Sequence, residues 1–220
     1  MHLSRFEINT ARRAARDLLA SPQKLHGAVQ AAFPPSLSTI GADGRLLWRL
    51  DQQERQTLLY LVSPQRPDLT HLVESVGWPT SHGWDTRDYT PLLDRLAAGQ
   101  QWGFRLTANP VINRKKTEDA VRSQRFGHIT VAQQTEWLLG QAKRNGFTIA
   151  IGTGEEPDVA VRGRRTTRFT RQGRTVTLAI AVFEGRLEVT DPVALRAALV
   201  QGIGPAKGYG CGLLTLAPAR

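Results

Sequence analysis

The 220-residue chain has a single cysteine, Cys211, so it can form neither an intrachain disulfide nor a cysteine-rich zinc site. Its fold must stand on packing. No stretch reaches the roughly 18 consecutive apolar residues of a membrane-spanning helix. The first ten residues carry Arg5 and Glu7 and no apolar secretory core, which reads as a cytoplasmic protein. HExxH pairs, paired cysteines and acidic clusters at metal-ligand spacing are also lacking, so no metal is expected and a metal-dependent hydrolase is disfavoured. Nothing in the sequence calls for a cofactor.

Acidic residues are scarce, 19 against 29 basic ones, for a net charge of +10. The excess is concentrated: residues 101–174 hold 14 basic and 6 acidic residues, whereas the flanking segments are close to balance. Twenty-four of the 29 basic residues are arginine, whose planar fork pairs bidentately with phosphate and stacks on bases. A polyanion is the natural partner. A solvated basic surface is the blander reading, and a neutral first half beside a strongly basic middle argues against it. Membrane binding fits less well, because the arginines fall among alternating β-type residues and not along an amphipathic helix.

The hydrophobic pattern repeats one order of elements twice. In the first half Leu3 to Ile8 alternates as a strand, and a helical stretch from Ala11 to Phe33 is broken at Ser21-Pro22, where Ser21 can cap and Pro22 can occupy the first helical position. Leu46 to Leu50 and Thr57 to Val62 read as paired strands, followed by a short helix near Leu69 to Val76 and a loop-rich stretch from Trp84 to Tyr89. In the second half, strands are expected at Trp102 to Ala108, Phe147 to Ile151, Val159 to Thr170, Thr175 to Val189 and Leu213 to Leu216. Helices are expected at Val131 to Arg144 and Pro192 to Val200. Both halves follow β-α-β-β-α-β. The expected fold is α+β, two ferredoxin-like (RRM-like) units in tandem, 1–92 and 101–220. Gln172-Gly173 would turn a long arginine-bearing hairpin.

Three features carry candidate function. Gly202, Gly204, Gly208, Gly210 and Gly212 crowd the segment before the last strand; Ala206 ahead of Lys207 rules out a Walker loop, and Lys207 replaces the third glycine of a dinucleotide fingerprint. What is left is either a tight packing turn or a loop whose N–H groups meet phosphates, with Lys207 adding charge. Arg162, Arg164, Arg165, Arg168, Arg171 and Arg174 span the expected hairpin. Arg162, Arg164, Arg168 and Arg174 share parity, so in an unbulged hairpin much of that charge faces one way. Arg114, Lys115, Lys116, Arg122 and Arg125 form a second cluster, read as a flexible basic loop. His26 lies at the polar margin of the stripe formed by Leu25, Ala28, Val29, Ala32 and Phe33, sharing its face with Gln23 and Gln30. From spacing alone a histidine there is more often a surface or boundary residue than a site.

Taken together these residues resemble the CasE endoribonucleases, the CRISPR RNA processing subunits of type I-E Cascade. The likeness runs nearly end to end. It is carried by Leu25-His26 followed by Phe33-Pro34, Leu46-Leu47-Trp48-Arg49-Leu50, Phe104 through Pro110, Phe183 through Val189, and Gly202 through the Leu213-Leu214-Thr215-Leu216-Ala217-Pro218 ending. The resemblance implies tandem ferredoxin-like domains that bind a repeat hairpin in precursor CRISPR RNA, cut at its 3′ base, and keep the product within the assembled complex beside other Cascade subunits. It makes His26 the catalytic histidine and assigns the RNA stem to the second domain, at Arg164, Arg165, Lys115 and Arg125, with Arg168 and Lys207 as further contacts. Some members carry a tyrosine three residues before the histidine and a lysine five after it, where this chain has Gln23 and Ala31, leaving Lys24 or a nearby arginine as the helping cation. The reaction implied is metal-independent attack of a ribose 2′-hydroxyl on the adjacent phosphate. The alternative is a non-catalytic subunit that binds structured RNA.

Overall fold

The computed structural model describes residues 1–35, 40–41, 44–79, 83–115, 123–171 and 173–219. The first half runs β1 (His2–Ile8), α1 (Arg13–Leu19), α2 (Pro22–Gln30), β2 (Ile40–Gly41), β3 (Gly44–Arg45), β4 (Leu47–Gln52), β5 (Thr57–Ser63), α3 (Thr70–Val76), β6 (Trp84–Asp88) and α4 (Thr90–Asp94). The second half runs β7 (Gln101–Ala108), β8 (Val111–Lys115), β9 (Ser123–Gly127), α5 (Val131–Arg144), β10 (Phe147–Ile149), β11 (Val159–Arg171), β12 (Arg174–Val189), α6 (Pro192–Gln201), a 3-10 turn at Lys207–Tyr209, and β13 (Leu214–Pro218).

Local chemistry sets the helix starts. The Ser21 side chain accepts from the Lys24 N–H with Pro22 opening α2, and Thr130 forms a reciprocal capping box with Gln133 ahead of α5. Asp191 accepts from the Val193 and Ala194 N–H groups with Pro192 behind it.

The first sheet has the antiparallel order β4-β5-β1-β6, and the second β10-β12-β7-β13 with β11 also paired to β12. Each is a ferredoxin-like sheet, the second with its outer strand split into β10 and β11. The loop expected over Trp84–Tyr89 is instead mostly β6, paired along β1 from His2↔Asp88 to Phe6↔Trp84. As an edge strand with largely exposed side chains it shows no apolar alternation, although its backbone is fully engaged on one side. The basic loop is likewise a hairpin where described: β8 pairs β9 from Val111↔Gly127 to Lys115↔Ser123, with Lys116 and Arg122 outside the described residues. Gly127 lets it lie against β12, where a Cβ would come 2.5 Å from the Ala179 Cβ.

β12 pairs with β7 only from Ala181 to Glu188, so residues 174–180 and their β11 partners project past the sheet as a two-stranded arm. Of the turn expected at Gln172-Gly173, Gln172 lies outside the described residues. A bulge between Arg162 and Arg165, with Gly163 at φ 54°, breaks the expected parity. Beyond it, Arg165 and Arg171 pair opposite Ile180 and Arg174 on one face, and Arg168 pairs opposite Thr177 on the other.

The two units are fused by packing. Leu47, Val62, Tyr89, Leu93 and Leu96 of the first half share a core with Phe104, Leu106, Leu138, Phe183 and Leu199 of the second, while Phe6, Leu25, Val29, Trp48, Leu59 and Leu72 form a separate core under α1–α3. β5 is therefore buried on both faces, which explains its nearly unbroken apolar run. Arg49 crosses the seam. It is 2% exposed, binds both Asp51 oxygens (2.8 and 2.9 Å), and donates to the Arg105 and Leu213 carbonyls and the Thr215 hydroxyl.

Candidate functional site

The seam opens on one side into a cleft of about 720 Å³. Its wall from the first half is the polar face of α2, with Gln23, His26, Gly27 and Gln30, joined by Arg45 of β3. The second half contributes Arg125 of β9, Arg171 of the projecting arm, and residues 204–209 ahead of β13. Leu25 and Val29 bury the other face of α2, which holds His26 half-buried at the cleft rim. Among the described residues, four cationic side chains and no carboxylate line the space. Among the described residues none of Arg45, Arg125, Arg171 and Lys207 forms an ion pair, so their charge is free to meet a polyanion.

The indole N–H of Trp48 donates to His26 Nδ1 at 3.4 Å. The opposite ring nitrogen, Nε2, faces Gly208, where a Cβ would lie 3.4 Å away. Tyr209 presents its ring edge-on to His26, with centroids 6.3 Å apart, and packs against Phe169 at 4.8 Å. The Arg171 guanidinium lies 5.9 Å from the Tyr209 ring centre. Burial, followed by the charges of Arg171 and Arg45, lowers the His26 pKa below its ordinary 6.5, so the imidazole is mainly neutral at pH 7. Burial and Arg45 also lower the Lys207 pKa. Two groups whose proton affinities are drawn down thus share one cleft.

The residues singled out in the sequence are only partly gathered here. His26, Arg125, Lys207, Gly204 and Gly208 line the cleft, whereas Lys24 is exposed and does not. Arg165 lines a smaller neighbouring cavity beside Trp48 and Gly210, Arg164 donates to the Ile129 carbonyl, and Arg168 faces away from both. Lys115 ends β8, and its side chain lies outside the described residues. The glycines divide. A Cβ on Gly202, Gly204, Gly210 or Gly212 would come within 3.0 Å of Leu47, Trp137, Trp48 or Ile203, so these four are packing glycines; Gly208 is the one whose open face looks at His26.

Arg45, Trp48 and Tyr209 had no local signal: the folding of the first half brings Arg45 and Trp48 to His26, and the meeting of the halves brings Tyr209. Gly27 did have one. It is an isolated glycine within α2 whose missing Cβ would touch nothing in the protein, so packing does not demand it. Among the described residues no group of three or more metal-ligating side chains occurs.

The CRISPR associated protein family matches residues 1–218. The chain is 31% identical over 227 residues to the CRISPR-associated endoribonuclease Cse3 of Thermus thermophilus, covering 99% of this chain and 100% of that one. It is 32% identical over 187 residues to the CRISPR system Cascade subunit CasE of Escherichia coli, covering 78% and 88% of the two chains. The structure of Thermus thermophilus Cse3 bound to an RNA representing a pre-cleavage complex superposes with a TM-score of 0.77 at 30% identity, over 99% of this chain and 98% of that one. With this likeness along its whole length, and with both sheets in the ferredoxin-like order, the chain belongs to the CasE (Cse3) family of CRISPR-associated endoribonucleases.

Proposed function

We propose that this protein binds the repeat hairpin of precursor CRISPR RNA and cuts at its 3′ base by metal-independent transesterification, with His26 as the catalytic histidine. The observation that carries the reading is the cleft itself: His26 Nε2 looks into a space lined by Arg45, Arg125, Arg171 and Lys207 and, among the described residues, by no carboxylate. The RNA-bound state of the Thermus relative supports the substrate, and the Cascade name of the Escherichia coli relative supports assembly with other Cascade subunits; the cytoplasm is the compartment expected from the sequence.

In this reaction the 2′-oxygen of the nucleotide 5′ to the cut attacks phosphorus, and the bond to the 5′-oxygen breaks. The products are a 2′,3′-cyclic phosphate and a 5′-hydroxyl. One proton leaves the nucleophile and one reaches the leaving oxygen; His26 and Lys207 are the titratable pair placed to exchange them. The arginines offset charge on the crowded phosphorane and hold the phosphate in line. Lys115, Arg164, Arg165 and Arg168, carried by the two basic hairpins, extend the contact along the stem, and the product stays docked. The working units are 1–92, which brings His26, and 101–220, which brings the basic arm and the segment from Gly202 to Gly212.

The test is one gel of end-labelled repeat RNA in excess chelator, run for the wild type and His26→Ala, with a second RNA carrying 2′-deoxyribose only at the nucleotide 5′ to the cut. Wild type cuts the first RNA, binds but does not cut the second, and His26→Ala binds both within a few-fold and cuts neither. Cutting of the deoxy RNA would rule out the 2′-hydroxyl as nucleophile, because a metal-bound water would attack it equally well. Binding without any wild-type cleavage would establish the non-catalytic alternative.

A further inference from the structure

We infer that Trp48 is a positioning residue for His26: its indole N–H occupies Nδ1, so that the imidazole meets the RNA through Nε2, with the proton on Nε2. The inference rests on the catalytic reading of His26 for its consequence, but not for its geometry.

A ring nitrogen that accepts a hydrogen bond carries no proton, and in a neutral imidazole the proton then sits on the other nitrogen. The Trp48 indole N–H has no acceptor role of its own to offer, so the 3.4 Å contact with Nδ1 has only one polarity. Trp48 is itself fixed. It is 3% exposed in the core beneath α2, and the backbone of Gly210 lies so close to its ring that a Cβ there would come 2.6 Å from Cζ3. Gly210, at φ 78°, is thus the seat of the indole, and the indole is the brace of the histidine. On the far side of the ring, Gly208 leaves Nε2 room to meet substrate.

The protonated imidazole would set an Nδ1–H against the Trp48 N–H. The contact therefore favours the neutral ring, in the same direction as burial and the charges of Arg171 and Arg45. Among the described residues, Lys24 on the same helix and Arg125, Lys207 and Tyr209 across the cleft are the further ionisable side chains around it, and none is a carboxylate. His26 thus rests with a hydrogen-bond donor toward the substrate; to exchange a proton in the proposed reaction the ring takes one up at Nδ1, displacing the Trp48 N–H, and gives up the one on Nε2. The brace ties one packing glycine to the chemistry through a residue that does not itself line the cleft.

The experiment is nitrogen-15 NMR of the imidazoles in the intact protein, with the His26 signals assigned by their loss in His26→Ala. Wild type should show a protonated Nε2 and an unprotonated Nδ1 at pH 7. A predominant Nδ1–H tautomer, or an even mixture of the two, overturns the inference without any variant having to fold. In Trp48→Phe the His26 pKa should rise, and single-turnover cleavage on its pH plateau, at saturating RNA, should slow roughly two- to tenfold with hairpin affinity unchanged, the effect of one lost hydrogen bond. An unchanged pKa and rate in a folded Trp48→Phe would equally refute it. If His26→Ala cuts like wild type, the catalytic reading fails, while the tautomer measurement still decides the role of Trp48.

Discussion

Removing Arg171 and Arg45 tests the cleft as a phosphate site with two independent readouts. Both guanidinium groups line it without an ion pair among the described residues, and both depress the His26 pKa. If each neutralises one backbone phosphate, each alanine substitution should flatten the log-log dependence of hairpin affinity on salt by roughly 0.7–0.9, and the double variant by about twice that. Between about 50 and 200 mM salt, a single variant's binding deficit should then shrink about threefold and the double variant's about tenfold. The same substitutions remove positive charge facing the imidazole, so the His26 pKa should climb back toward 6.5, Arg171→Ala giving the larger shift because Arg171 is the stronger of the two charges acting on it. Filter binding across a salt series and an NMR titration of His26 measure the two effects separately. Arg5→Ala serves as the control, since Arg5 pairs with Asp85 at the outer edge of the first sheet and does not line the cleft. Unchanged salt slopes in both variants would show that the cleft holds no phosphate, and a His26 pKa indifferent to both would show that its charge environment has been misassigned.

Two further outcomes concern the frame of the site. Arg49→Met should destabilise the protein by about 3–5 kcal/mol in urea unfolding, because it leaves the Asp51 carboxylate and three acceptors at the seam without their buried donor; a loss below about 1 kcal/mol would refute its structural role. Cys211, fully buried with its thiol pKa pushed up to about 12 by desolvation, should resist alkylation at pH 8 in the native protein and react at once in denaturant, as thiol counting before and after urea would reveal.

Elements whose causes are local could be read from the sequence. Ser21-Pro22, Thr130 with Gln133, and Asp191-Pro192 fix three helix starts through hydrogen bonds spanning two or three residues, and all three appear where those residues place them. Strands buried on at least one face, such as β5 and β7, announce themselves by apolar content. β6, β8 and β9 do not, because their cohesion is mostly backbone pairing and their side chains stay largely exposed; exposed strands of this kind leave little hydrophobic trace. The arginine arm failed for a subtler reason. One bulge at Gly163 reverses every face beyond it, moving Arg171 to the His26 side and Arg168 away from it.

The sequence singled out His26, Arg125, Arg171 and Lys207 of the candidate cleft one by one but not that they meet, and the reason is topological. His26, Arg45, Arg171 and Lys207 are separated by tens to more than a hundred residues, and no periodicity within one half can report on a side chain supplied by the other. What brings them together is the fusion of the two sheets. Leu47 and Val62 lie in the same core as Leu106 and Phe183, while Trp48, the neighbour of Leu47 and therefore on the opposite face of β4, reaches His26 beneath α2. One strand thus fixes the docking of the second half with one face and the ring of the histidine with the other. A change at the seam, even one far from the cleft, should therefore be felt at His26 through β4. That coupling follows from the two-faced burial of a single strand and requires no contact between the altered residue and the RNA.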